Sequence, residues 1–268
     1  MQERAILSYH DTVLFKGDPT TLHEGQWLND NILSFYFEYL MHDILKGDDS
    51  VLFLKPTISY YLTHQAVSPN LLAVVPSNMD CKEVIFIPVN GQQPADLSRP
   101  FTRRGIAHWS LLIYIRSTRT YHYFDSLAAT NYSAASQTQR RIDYLLGNEL
   151  TKIVMHSCPQ QENGFDCGVF VVLFADVLAR RYADLRLPSS PQMLDISVPD
   201  LIQRPMSPFA NYKAPFTFFR PMMLKPPVIE NTFWWIDYGD LVHPIKARKI
   251  LLDLIRNMAA KKSMPVFM

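Results

Sequence analysis

The chain has 268 residues, 48% of them apolar, a net charge of +1 and three cysteines, Cys81, Cys158 and Cys167. That length can bury a full core, as one large domain or as a domain with an appendage. No long charged run suggests a nucleic-acid or membrane partner, and no apolar run approaches the ~20 residues a bilayer span needs. An odd cysteine count without a Cys-x-x-Cys pair suggests neither a disulfide framework nor a zinc site, so no metal or cofactor is expected. The first residues contain no long apolar run of the secretory kind. A reducing compartment, cytosol or nucleus, is therefore the expectation.

The first strong pattern follows Trp27. Asn29 or Asp30 reads as the N-cap of a helix whose apolar residues, Ile32, Leu33, Phe35, Tyr36, Phe37, Leu40 and Ile44, recur at three- and four-residue intervals. Trp27 itself reads as a hydrophobic staple at the helix entry. Leu52–Leu62 is a second helical segment, starting near Pro56. From Val84 the period changes. Val84–Val89 is a short apolar run ending at Asn90-Gly91, a buried strand and a turn. Residues 92–105, polar with two prolines and three arginines, read as a surface loop. His108–Ile115 and Thr120–Phe124 are two further strands, joined by a hairpin turn at Ser117–Arg119. That geometry brings His108, at the start of one strand, to the same end as Asp125, which closes the other. An imidazole and a carboxylate so placed suit a general base and its orienting partner. His122 is a competing histidine; it lies within its strand, and His108 fits the geometry better.

Gln137–Leu150 reads as an amphipathic covering helix and Lys152–Met155 as a short strand. Then comes a turn-rich stretch, Pro159-Gln160-Gln161-Glu162-Asn163-Gly164-Phe165-Asp166-Cys167-Gly168, running into an apolar helix that reaches about Tyr182. Cys167 sits at the expected N-terminus of that helix. Unpaired N–H groups and the positive end of the helix dipole favour a thiolate there. The bland alternative is a small buried hydrophobe, the usual role of a free cysteine. From Leu187 prolines recur with phenylalanines, and residues 188–240 read as an irregular, aromatic-rich insert and a docking surface or lid. The last element, Ile245–Ala260, is a helix with an apolar face of Ile250, Leu251, Leu254, Ile255 and Met258. The domain expectation is thus 1–187 catalytic, 188–240 insert, and 241–268 a helix packing back.

The order His108, Asp125, Cys167, with Gln161 six residues before the cysteine, resembles the Ulp1-type cysteine proteases, the sentrin- or SUMO-specific proteases. Four motifs carry the resemblance: Trp27-Leu28-Asn29-Asp30-Asn31-Ile32, His108-Trp109-Ser110-Leu111-Leu112, Tyr123-Phe124-Asp125-Ser126, and Pro159 to Gly168. The chain looks closest to the deneddylase branch. Leu7-Ser8-Tyr9 near its start and the Met258-to-Lys262 end look like that branch, and no regulatory segment is expected before the catalytic one.

The resemblance implies an α+β fold, a small central mixed sheet packed against helices. It implies a thiol isopeptidase that cleaves after the C-terminal Gly-Gly of a Nedd (Rub)-type ubiquitin-like modifier, with a SUMO protease as nearest alternative. A non-catalytic modifier-binding module and an acyltransferase are more distant ones. Cys167 would be nucleophile, His108 base, Asp125 its orienting partner, and Gln161 an oxyanion donor. Trp27 and Trp109 would flank a narrow substrate tunnel, and Asp30 would contact the modifier's tail. Residues 91–105 would cover the bound modifier. A monomer is expected.

Overall fold

The computed structural model describes residues 4–65, 73–91, 108–185 and 243–263. Its organising element is a five-stranded mixed sheet in the order β3 (Val51–Phe53), β4 (Val84–Asn90), β5 (Trp109–Ile115), β6 (Thr120–Phe124), β7 (Lys152–Met155). The inner pairs β4–β5 and β5–β6 are antiparallel and the outer pairs are parallel. A parallel neighbour needs a crossover. Helix α2 (Pro56–His64) lies between β3 and β4, and α3 (Tyr132–Leu146) lies between β6 and β7.

The continuous apolar runs of β4 and β5 follow from burial on both faces. Ile85, Ile87, Val89, Leu112, Tyr114, Tyr121 and Tyr123 point to one side, into a core shared with Leu62 of α2 and Ala135 and Ile142 of α3. Val84, Phe86, Leu111, Ile113, Ile115 and Phe124 point to the other. There they meet α1 (Asp30–Tyr39) and α4 (Cys167–Leu185), together with α5 (Pro244–Ser263). Alternation at period two divides one apolar string between two cores. Pro88 sits within β4 opposite Leu111. It lies past the end of three-residue β3, so no strand on that side needs its missing N–H, and Ser59 donates to its carbonyl instead.

The α+β expectation holds, with differences in detail. An N-terminal hairpin, β1 (Ala5–Tyr9) and β2 (Thr12–Phe15), was not legible in the sequence, nor was β3. The second helix starts at Pro56 as expected, and the residues just before it, Val51–Phe53, form strand β3. Helix α3 starts at Tyr132, five residues earlier than expected, and ends at Gly147 in the left-handed conformation (φ 65°). The terminal helix buries Ala247, Leu251, Ile255 and Arg248, a narrower face than expected, and packs on β1, the short helix Asp18–Leu22 and α4. The residue 92–105 loop and the 188–240 insert lie outside the described residues.

Candidate active site

Helix α4 begins at Cys167, whose residue is 2% exposed. The Phe170 N–H bonds the Asp166 carbonyl, so the helix ladder starts one residue before the cysteine. The N–H groups of residues 167–169 therefore have no intrahelical acceptor. The turn before the helix is built by Asn163. Its Oδ1 accepts the N–H groups of Phe165 and Asp166, and its Nδ2 donates to Asp166 Oδ2. Gly168 is required by close approach: a Cβ there would lie 2.9 Å from Leu28 Cβ and 3.5 Å from Trp109 Cδ1.

The hairpin delivers the other two groups. The β5–β6 register pairs Leu111 with Phe124, which brings His108 and Asp125 to one end. His108 Nε2 lies 2.6 Å from Asp125 Oδ1, and both side chains are 2% exposed. With Nε2 held by the carboxylate, Nδ1 is the ring nitrogen left for the thiol. Burial opposes charge on the His108 ring, but hydrogen bonds to Asp125 and Cys167 outweigh it and raise the imidazole to about 9. Burial likewise works against charge on Asp125, yet its bonds to His108 and Tyr123 hold the carboxyl below its usual range.

The carboxylate of Asp125 is saturated. Oδ1 accepts from His108 and from the Leu127 N–H; Oδ2 accepts from the Tyr123 hydroxyl and the Asn131 N–H. Asn131 then reaches across with its side chain. Nδ2 donates to the carbonyls of Val89 (2.9 Å) and His108 (3.1 Å) and to Ser110 Oγ (3.0 Å). One buried asparagine thus ties the backbone of His108 to the residue that orients its ring. A Cβ on Gly91 would fall 1.8 Å from Asn131 Oδ1, so only glycine leaves room for this clamp. The loop between the two groups is strained: Ala128 (φ 44°) and Ala129 (φ 59°) both occupy the left-handed region.

Gln161 is 8% exposed. Its N–H donates to the Ser126 carbonyl, its Oε1 accepts from Ser126 Oγ at 2.8 Å, and its Nε2 donates to the Asn163 carbonyl at 2.5 Å. The second Nε2 hydrogen remains for another acceptor. Trp27 is 56% exposed and donates its indole N–H to the Gly164 carbonyl at 2.7 Å. The staple reading therefore fails. Leu28, 3% exposed, is the apolar residue buried beside the Asn29 cap, whose Oδ1 accepts the Ile32 N–H. Trp109, in contrast, is buried against Gly168. Asp30 is exposed in the first turn of α1. His122 sits inside β6 opposite Ile113, with Nδ1 2.8 Å from His156 Nε2 and its own Nε2 buried without a hydrogen-bond partner. It takes no part in the His108–Asp125 pair.

Sequence reasoning did not single out Asn131. The role of Asn131 depends on contacts 21–42 residues away along the chain. Among the described residues no group of histidine, cysteine and acidic side chains could hold a metal ion.

A thiol at a helix N-terminus, facing a buried His–Asp pair at one end of a sheet, is the arrangement of a cysteine peptidase. Residues 26–185 match the Ulp1 protease family, C-terminal catalytic domain, and the chain belongs to that family. It is 32% identical over 197 residues to a Dictyostelium discoideum protein named "Probable sentrin-specific protease 8", covering 67% of this chain and 77% of that one. It is 27% identical over 203 residues to "NEDD8-specific protease 1" of Arabidopsis thaliana, covering 74% and 87%. The fold resembles the solved C-terminal Ulp1 protease domain in complex with Smt3, the yeast ortholog of SUMO. The TM-score is 0.55 at 19% identity, covering 97% of this chain and 90% of that one.

Proposed function

We propose that this cysteine peptidase cleaves after the C-terminal Gly-Gly of a Nedd (Rub)-type ubiquitin-like modifier, both maturing its precursor and releasing it from target lysines. The observation that carries the chemistry is the buried His108–Asp125 pair, 2.6 Å apart, with the imidazole bonded also to Cys167. The modifier class is supported by the names of the relatives.

In this reading Cys167 Sγ attacks the carbonyl carbon of the final glycine. His108 takes the thiol proton, and Asp125 stabilises the resulting imidazolium. The carbonyl oxygen becomes an oxyanion, which accepts from the Cys167 N–H and the second Nε2 hydrogen of Gln161. Losing one such donor typically costs two to three orders of magnitude in rate. Collapse of the intermediate breaks the C–N bond. The proton on His108 goes to the leaving lysine amine, and a thioester remains. Water, deprotonated by His108, then hydrolyses it. Trp27, broad and exposed beside the nucleophile's turn, and Trp109 from below confine the substrate's tail. A narrow channel admits glycine because it alone has no Cβ. Asp30 contacts the modifier's tail. A reducing compartment, cytosol or nucleus, would keep the thiol usable.

The test uses Gly-Gly-ended modifiers of Nedd, SUMO and ubiquitin type, each carrying a C-terminal electrophile. A covalent adduct with the Nedd type, absent in Cys167→Ala, is expected. An adduct with SUMO alone would keep the chemistry and overturn the modifier. A Cys167→Ala protein that still hydrolyses substrate would overturn the nucleophile.

A further inference from the structure

The terminal helix α5 carries an arginine, Arg248, whose side chain is 4% exposed and faces the cysteine turn. Its guanidinium meets three separate stretches of chain. Nη1 donates to the carbonyls of Thr21 (2.9 Å) and His23 (3.1 Å). Nη2 donates to the carbonyl of Gln26 (2.7 Å) and reaches that of Phe165 (3.2 Å). Nε and Nη2 both donate to Asp166 Oδ1, at 2.9 and 2.6 Å.

These acceptors are not scattered. Gln26 immediately precedes Trp27, and Phe165 and Asp166 lie between Gly164 and Cys167. Trp27 in turn bonds Gly164. The contacts therefore close a ring: Arg248 to Gln26, along the chain to Trp27, across to Gly164, along the chain to Asp166, and back to Arg248. Trp27 is more than half exposed. Among the described residues its orientation rests on the indole hydrogen bond to Gly164 and on the two backbones that Arg248 grips beside the bonded pair, at Gln26 and at Phe165.

A purely architectural role accounts for less of this. A buried ion pair is weak evidence for stability, because desolvating both charges consumes most of what their attraction returns. What an arginine fork supplies beyond an apolar contact is direction: several donors in a rigid plane, each fixing one acceptor. Here four of its five acceptor groups are backbone carbonyls; those of His23, Gln26 and Phe165 lie in irregular segments, and that of Thr21 lies at the end of the short helix Asp18–Leu22. Asp166 Oδ2 is separately held by Asn163 Nδ2, so the ion pair also locks the turn that presents the nucleophile.

We propose that Arg248 is a positioning residue for substrate engagement. It holds the Trp27 indole against the Gly164 carbonyl and thereby sets one wall of the channel through which the substrate's C-terminal tail reaches Cys167. This rests on the reading of Trp27 as a channel wall under Proposed function. The consequence is that Arg248 acts on the modifier's tail through Trp27, from a helix that follows the cysteine by more than seventy residues in the chain.

The experiment combines two measurements on the full chain, with wild type, Arg248→Lys, Trp27→Ala and the double variant. Lysine keeps the charge but loses the fork; Asp166→Asn, which keeps an acceptor for Arg248, is the second variant should Arg248→Lys fail to fold. The first measurement is hydrolysis of Gly-Gly-ended modifiers of Nedd and SUMO type carrying a fluorogenic amide. Trp27→Ala is expected to lose at least about tenfold in kcat/KM, since the wall is removed. Arg248→Lys is expected to lose about tenfold, chiefly through KM, and less than about twofold further when Trp27 is already alanine, because residues acting as a unit are non-additive. The second is solvent exchange of the Trp27 indole proton by NMR, with the resonance assigned from Trp27→Phe. Exchange is expected to quicken about tenfold in Arg248→Lys. Full additivity of the two substitutions, or an unchanged indole exchange rate, would overturn the inference. A wild type that hydrolyses neither modifier, or a Trp27→Ala as active as wild type, would instead overturn the reading of the channel, and the indole exchange would still decide whether Arg248 orients Trp27.

Discussion

Replacing Asp125 by asparagine is the sharpest perturbation of the site, because the carboxylate has no unused oxygen. Each oxygen accepts two hydrogen bonds, Oδ1 from His108 and Leu127, Oδ2 from Tyr123 and Asn131. An amide has one oxygen and one NH2 group. With the NH2 at the Oδ1 position it meets the His108 ring and the Leu127 N–H. At the Oδ2 position it meets the Asn131 N–H, though the Tyr123 hydroxyl can rotate to accept. The second orientation costs less and still leaves a buried N–H unsatisfied, worth about 1–3 kcal/mol of stability. The larger loss falls on the imidazolium. His108 is raised from 6.5 to about 9. At about 1.36 kcal/mol per pH unit the gap corresponds to roughly 3 kcal/mol favouring the charged ring, or about two to two and a half orders of magnitude in any step that needs it. Asp125 shares that rise with Cys167, so Asp125→Asn should lower kcat/KM at pH 7 by about ten- to a hundredfold in the fluorogenic assay, and NMR titration should find His108 well below its wild-type value. The wild-type dependence has a definite sign. The raised imidazole contributes stability that is complete below 6.5 and lost as pH rises through about 9. The depressed Asp125 carboxyl contributes stability present above its ordinary 3.8 and lost as pH falls through its native value. Asp125→Asn should flatten both limbs in urea titrations. A variant that keeps more than a tenth of the activity with His108 still titrating near 9 would refute the reasoning.

Three further outcomes follow from neighbouring residues. Ala128→Gly and Ala129→Gly should each raise stability by about 0.5–1 kcal/mol in denaturant titration, since left-handed backbone costs an alanine about 1–2 kcal/mol and glycine returns part of that as unfolded-state entropy; a loss would show that the alanine methyls make contacts worth more than the strain. Gly91→Ala should destabilise by more than about 2 kcal/mol and lower activity, because its Cβ would displace Asn131 from the His108 carbonyl; wild-type behaviour would dissolve the clamp. Burial pushes His122 down to about 3 and His156 to about 4, repulsion between the two rings adding to the fall of His122. Their neutral forms contribute stability that is full above 6.5 and lost as pH falls below it, about 2 kcal/mol from His122 alone at pH 5; His122→Phe should remove that part of the acid limb, and an unchanged limb would place the protons elsewhere.

Much of the site was legible in the sequence because its signals are local. A cysteine at the junction of a turn-rich stretch and an apolar helix, and a histidine and aspartate closing two facing strands, need only periodicity and a short hairpin to be brought into relation. The cap of α1 at Asn29 and the run of β4 are equally local. The sequence failed where a short element owes its existence to a distant partner. β3 has three residues and exists because β4 lies beside it; the β1–β2 hairpin is held over α1 and α5 by residues that alternate too briefly to announce a strand. Trp27 shows the limit most clearly. Beside a helix cap it reads as a staple, and only the fold reveals that Leu28 is buried there while the indole stands exposed with its N–H on Gly164, 137 residues on. Asn131 and Arg248 carry no motif at all. A polar side chain takes its meaning from the acceptors around it, and those come together only when both layers have packed on the sheet. The sequence alone singled out the candidate catalytic groups; the tertiary structure decided how they are held, because hydrogen-bond geometry depends on position in space and not on order along the chain.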